Sequence, residues 1–180
     1  MDEGLRQPQG GGLRKARPEP LSPVSPLAFL NVNIRGFVSH RAELEAHLQL
    51  QGLPTVVAIT ESLLDKSVTK VELTGYSLAS RLDRAGGRPG GGILTFVRDD
   101  AAAMIVHIGD SDAAERSWHV FHSDQGPLLV GVWYRPPAPG EIDSIRSLTP
   151  EWLKFSCDVI GGVLLGDMNV HQQPWLVHSH

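Results

Sequence analysis

Cysteine is nearly absent from this chain. Cys157 stands alone among 180 residues, so no intramolecular disulfide braces the fold. A lone thiol fits a reducing, intracellular compartment, and its simplest role is a small buried side chain. Long apolar runs are missing too. None approaches the roughly 18 continuous apolar residues of a membrane-spanning helix, so no membrane span is expected. The amino terminus carries Asp2 and Glu3 without an apolar segment, unlike a secretory signal. Nor is there an excess of basic charge. Sixteen Lys and Arg against 20 Asp and Glu leave a net charge of −4, which argues against binding nucleic acid through a uniformly basic surface. A local basic face remains compatible with that total.

What is present is an ordinary globular composition, 41% apolar and 20% charged. The length suits one domain, which on folding buries about 70% of its unfolded surface. Residues 1–26 differ from the rest: Gly10, Gly11 and Gly12 are followed by prolines at 18, 20, 23 and 26, with little apolar content. This stretch reads as a flexible leader, and residues 27–180 as the folded domain. Arg14, Lys15 and Arg17 read first as a solvated basic group and second as a localisation signal, with the nucleus as destination. No feature calls for an obligate partner chain, so a monomer is expected.

Order begins at Leu27–Ile34, a strand. Ser39 is the predicted N-cap of a helix through Gln51, with Leu44 and Leu48 on one face and Gly52 and Pro54 as its stop. Thr55–Thr60 is β-branched and apolar, a buried strand, so the first third reads β-α-β with parallel pairing. Tyr76–Leu82, Ile93–Arg98, Met104–Ile108, Ser117–His122 and Leu128–Tyr134 are short strands separated by turn residues. The glycine cluster from Gly86 to Gly92 lacks the Gly-Lys-Ser/Thr ending of a phosphate-binding loop and reads as a hairpin connection. A helix capped by Thr149, with Pro150 at its first position, precedes a last strand, Val159–Leu165. The pattern suggests two packed sheets covered by helices.

Several strands end in polar groups of one chemical kind. Asn33 closes the first, Glu61 the second, Tyr134 and Arg135 a later one, and Asp167 with Asn169 the last. Gly166 is expected to turn the chain as it leaves the sheet, delivering Asp167, Asn169 and His171 where open α/β sheets place ligands. Carboxylates, amides and a phenol are the groups that hold a hard cation and phosphate oxygens. Each has a plainer reading: Glu61 as a solvated strand end, Tyr134 as a core aromatic, Asp167 and Asn169 as a turn. His171, His178 and His180 read as tail residues rather than a metal cluster.

Taken in order, these segments resemble the endonuclease/exonuclease/phosphatase superfamily. The matching pieces are Asn33-Ile34-Arg35-Gly36-Phe37, Ile59-Thr60-Glu61-Ser62, Arg81-Leu82-Asp83-Arg84 leading to Gly90-Gly91-Gly92-Ile93, Trp133-Tyr134-Arg135-Pro136-Pro137, and Gly166-Asp167-Met168-Asn169. The Tyr-Arg-Pro-Pro element and the Asp-Arg ahead of three glycines resemble most the endonuclease domains of LINE-type (non-LTR) retrotransposons, which accompany a reverse transcriptase. The resemblance implies an α/β fold, a four-layered α/β sandwich of two mixed sheets flanked by helices. It also implies Mg²⁺-dependent hydrolysis of DNA phosphodiesters, with Mn²⁺ as a substitute ion. Glu61 is then the principal metal ligand, with Asn33 and Asp167 beside it. Asp167 orients or deprotonates water, Asn169 holds the phosphate and steadies Asp167, and Tyr134 bonds a phosphate oxygen. Asn31 rivals Asn33 for its role. Arg81, Arg84 and Arg135 are candidates to guide the DNA backbone.

Members of that family continue past the Gly-Asp-x-Asn element with more strands, another acidic residue and a terminal Asp-His pair. Neither His178 nor His180 sits in that motif. The expectation is therefore a fold incomplete at the carboxyl terminus, with catalysis impaired. Two other functions compete: an inactive remnant acting as a binding module, and a phosphatase acting on a phosphoinositide-type ester.

Overall fold

The computed structural model describes residues 27–84, 90–137 and 142–169. The leader, the middle of the glycine cluster and the histidines at 171, 178 and 180 lie outside them. Strand β1 (Phe29–Asn33), helix α1 (Phe37–Leu50) and strand β2 (Val56–Thr60) open the fold, and β1 pairs with β2 in parallel, Asn33 opposite Thr60. Strands β3 (Tyr76–Leu82) and β4 (Ile93–Arg98) pair antiparallel as a hairpin, giving one sheet in the order β1-β2-β4-β3. A short 3₁₀ stretch, Asp99–Met104, leads to the second sheet. There β5 (Ile105–Asp110), β6 (Glu115–Ser123), β7 (Gly126–Tyr134) and β8 (Gly161–Asp167) lie side by side in sequence order, with β7 and β8 parallel. Helices α2 (Ile142–Arg146) and α3 (Leu148–Phe155) bridge β7 and β8.

The apolar run of β2 exists because both of its faces are covered. Val57 and Ile59 pack with Phe37, Leu44 and Leu48 of α1 and with Leu94 and Phe96. Val56 faces the other way, onto Ile105, Phe121 and Val130 of the second sheet, and Ala58 meets Ile93, Val132 and Tyr134. The far side of the second sheet is closed by α3, whose Trp152 stands edge-on to Trp118 at 5.9 Å. Helix, sheet, sheet, helix: the fold is the expected four-layered sandwich. Each fully buried Val, Ile or Phe in these layers stabilises it by about 1.5–3 kcal/mol.

Arg116 is a buried exception under the outer helices. Its guanidinium reaches Glu151 at 2.9 Å, the Ser144 carbonyl at 3.1 Å and Ser147 Oγ at 2.8 Å, over the Trp133 ring. Burial pulls its pKa down, and Glu151 pushes it back up. These bonds hold the short helix α2 in place, which sequence pattern alone did not reveal.

Element starts depart from expectation where backbone partners replace side-chain caps. Helix α1 begins at Phe37, not after Ser39. Gly36 occupies the cap position at φ 118, and the N–H groups of Gly36 and Phe37 donate to the carbonyls of Glu61 and Ser62. The first turn is thus satisfied by a neighbouring loop, and a capping hydroxyl is not needed. Helix α3 starts at Leu148 with Ser147 as cap, so Thr149 and Pro150 fall inside its first turn, where a missing N–H costs nothing. Strand β8 runs to Asp167 rather than Leu165. Gly166 therefore does not turn the chain out of the sheet. It lies within the strand at φ 144, paired with Trp133, where a Cβ would collide with the Trp133 carbonyl oxygen.

Candidate active site

Two parallel strand pairs, β1 with β2 and β7 with β8, end at the same rim of the sandwich, one pair from each sheet. Alternation turns Asn33, Tyr134 and Asp167, the last residues of β1, β7 and β8, inward toward the seam, while Glu61 directly follows the end of β2. Asn33 and Glu61 arrive from the first sheet, Tyr134 and Asp167 from the second.

The four side chains meet. Asn33 Nδ2 donates to Asp167 Oδ2 at 2.8 Å and to Glu61 Oε1 at 3.2 Å, and the Tyr134 hydroxyl donates to the same Glu61 oxygen at 2.8 Å. One neutral amide thus separates two carboxylates drawn from positions 106 residues apart. Asn33 Oδ1 is buried and has no hydrogen-bond partner among the described residues. Burial and the bond to Glu61 raise the Tyr134 phenol to about 12, so it stays a proton donor at any physiological pH.

Backbone strain gathers here. Among the described residues, five non-glycine positions have positive φ, and four lie on this rim: Arg35 (49°), Glu61 (53°), Leu63 (53°) and Asn169 (42°). Left-handed backbone costs a side-chain-bearing residue about 1–2 kcal/mol. It persists because the loop is pinned: Ser62 N donates to Gly92 O at 3.2 Å, Leu63 N to Gly91 O at 3.0 Å, and Gly36 N to Glu61 O at 2.9 Å. Strain overdetermined in this way aims the Glu61 side chain at the seam.

The other expected residues sit nearby with different partners. Asn169 donates from Nδ2 to the Arg135 carbonyl at 2.8 Å, and Arg135 Nη1 donates back to the Asn169 carbonyl at 2.9 Å. This reciprocal pair ties the ends of β7 and β8 together, so Asn169 steadies Asp167 by holding the strand end rather than by bonding its carboxylate. Asn31 lies one pleat deeper on the same face, opposite Ala58, and Asn33 is the amide that reaches the carboxylates. Arg81 is engaged by its own chain, forked onto Asp83 at 2.7–2.8 Å and onto the Asp65 and Val68 carbonyls. Arg84 pairs with Glu115, and its Cζ lies 5.4 Å from the Tyr134 ring centroid. Glu115 escaped sequence reading. Its signal was a carboxylate at an inward position, directly opposite Tyr134 in register.

The donor set suits a hard cation. Two carboxylates share a single NH₂ group, and an amide oxygen beside them is buried and unpaired, an arrangement that an oxygen-seeking divalent ion completes. Among the described residues no group of three or more His, Cys, Asp or Glu is placed to hold a metal. Magnesium does not require one, because it keeps several waters and takes one or two protein carboxylates.

No family model and no curated protein matches the chain. Solved structures do, and they show its fold, the one shared by the endonuclease/exonuclease/phosphatase-type structures. The endonuclease domain of TRAS1, a telomere-specific non-LTR retrotransposon, matches with a TM-score of 0.56 at 14% identity, over 83% of this chain and 62% of that one. The AP endonuclease LMAP from Leishmania major matches with a TM-score of 0.56 at 18% identity, over 79% and 54%. An AP endonuclease from Archaeoglobus fulgidus gives 0.54 at 16% identity, over 84% and 60%. This chain thus spans little more than half the length of these structures, and at such identities the likeness establishes fold alone.

Proposed function

We propose that this chain is a metal-dependent phosphodiesterase acting on DNA, of the retrotransposon-endonuclease type. The observation that carries the reading is the single amide of Asn33 bridging Glu61 and Asp167 beside the Tyr134 hydroxyl. The structures that share its fold include endonucleases of two kinds, one from a non-LTR element and the others acting as AP endonucleases, which supports the same reading.

Glu61, Asp167 and the Asn33 oxygen would hold Mg²⁺ or Mn²⁺. When bound, the ion neutralises the phosphate oxygens that otherwise repel a nucleophile. The chain's own groups do the rest. Asp167 orients an attacking water and takes its proton. Tyr134, fixed as a neutral phenol, would turn its one proton from Glu61 to a phosphate oxygen as charge develops there. Asn33 keeps the two carboxylates at a distance that neither would hold unaided, and Asn169 with Arg135 locks the β8 terminus that carries Asp167. Arg84 lies over the Tyr134 ring, where its charge would add to the attraction for a phosphate, whereas Arg81 braces the loop around Asp65.

Nicking of supercoiled plasmid with Mg²⁺ tests the reading. Glu61→Ala should lower the rate by about 10²–10³-fold, the loss expected for one preorganised electrostatic group. Equal nicking by wild type and Glu61→Ala would remove the assignment.

A further inference from the structure

Glu115 begins β6 directly opposite Tyr134 of β7. Its side chain is only 17% exposed, as is that of Arg84 at 16%, which is unusual for two charged residues near a rim. The two carboxylate oxygens have separate tasks. Oε1 accepts from Arg84 Nε, and Oε2 accepts from the Gly92 backbone N–H at 2.8 Å. Arg84 in turn lies over the Tyr134 ring, and the Gly91 and Gly92 carbonyls receive the N–H groups of Leu63 and Ser62, immediately after Glu61. A Cβ on Gly91 would come within 2.5 Å of both Arg84 and Glu115, so the glycine turn is shaped around this pair. One carboxylate therefore touches both supports of the site: the cation stacked on the phenol, and the turn that pins the strained Glu61 loop.

Building on the phosphodiesterase reading, we infer that Glu115 is a positioning residue that acts through Arg84 on Tyr134. It holds the guanidinium over the ring, 5.4 Å from its centroid, which fixes the direction of the hydroxyl toward Glu61. A ring left free to tilt would move that donor by a fraction of an ångström, enough to weaken a bond made only when phosphate charge develops.

The chain has 2 tyrosines, so a ¹³Cζ-tyrosine NMR spectrum of the full-length protein contains Tyr76 and Tyr134, assigned by Tyr134→Phe. In Glu115→Gln the Tyr134 resonance should move while that of Tyr76 stays. Plasmid nicking should lose about 10–100-fold, as for other residues supporting a site, with the loss in kcat rather than KM. Glu115→Asp should recover part of it. The double variant Glu115→Gln/Tyr134→Phe should be no slower than Tyr134→Phe alone, whereas a residue that only braces the fold would give additive losses. An unmoved Tyr134 resonance in folded Glu115→Gln, or additive losses, overturns the inference. If Glu115→Gln does not fold, Arg84→Lys is read the same way, since it keeps the charge and loses the Nε contact. A wild-type chain that fails to nick plasmid sinks the phosphodiesterase reading, and the Tyr134 resonance then still decides the role of Glu115.

Discussion

An amide that gives both of its protons to carboxylates does at Asn33 what a cation would otherwise do: it lets two negative groups stay within reach of each other. Replacing it by an isosteric acid inverts the effect. Like charges about 4 Å apart repel by about 4 kcal/mol at an effective dielectric of 20. Asn33→Asp should therefore destabilise the metal-free chain by roughly 2–4 kcal/mol, part of the repulsion being relieved by proton uptake. Millimolar Mg²⁺ should restore more stability to the variant than it adds to the wild type, by mass action on a richer oxygen site. Thermal unfolding in EDTA and in Mg²⁺ measures both, and a variant as stable as wild type in EDTA would show that the bridge carries no weight. The choice between Asn31 and Asn33 was not legible in the sequence. Both amides have the same pleat phase, and only the arrival of Asp167, 134 residues further on, distinguishes them. Glu61 and Asp167 were singled out because several strands end in groups of one chemical kind, in the order of the family the chain resembles; either ending alone would have meant little.

At the scale of elements, β3 and β4 match their expected limits residue for residue, since each is a short strand-like run bounded by turn residues. The start of α1 was displaced by three residues, and the start of α3 and the end of β8 by two. In α1 the reason is distant in sequence, because the carbonyls of Glu61 and Ser62 cap it. In β8 the reason is close approach: Gly166 continues the strand because the Trp133 backbone leaves no room for a side chain. Gly166→Ala should cost about 3 kcal/mol or more, combining left-handed backbone with overpacking. The urea midpoint reports the loss, and a midpoint unchanged from wild type would mean that β8 tolerates a Cβ there. Since Asp167 is the next residue, the variant should also pull its carboxylate off Asn33.

At the scale of the whole molecule, one histidine among the described residues is buried in the seam. His119 is fully buried between the sheets, bonded to Ser80 Oγ at 2.8 Å, with the His107 ring 5.2 Å away. Burial first, and then His107, lower its pKa from 6.5 to about 4. A depressed histidine stays neutral in the fold while the unfolded chain takes up a proton. Its contribution is therefore intact above pH 6.5 and is lost as pH falls toward 4, by about 3 kcal/mol in full. Denaturant midpoints at pH 7.5, 5.5 and 4.5 should fall more steeply in wild type than in His119→Gln; parallel slopes would dissociate the seam from this acid sensitivity. Two packed sheets were foreseen from the alternation of β-α-β ends with antiparallel strands, but a histidine at their interface was not, because strand periodicity cannot say which residue of the facing sheet it meets.

Strands β1 and β8 stand at the end of their respective sheets, and the contact between Asn33 and Asp167 joins one to the other. On the phosphodiesterase reading, the site is consequently a seal between two layers. Anything that lets the layers slide by a fraction of an ångström, however remote from the rim, should then silence the proposed chemistry while circular dichroism still reports a folded protein. Turnover, on that reading, is an earlier gauge of a loosened interlayer joint than melting.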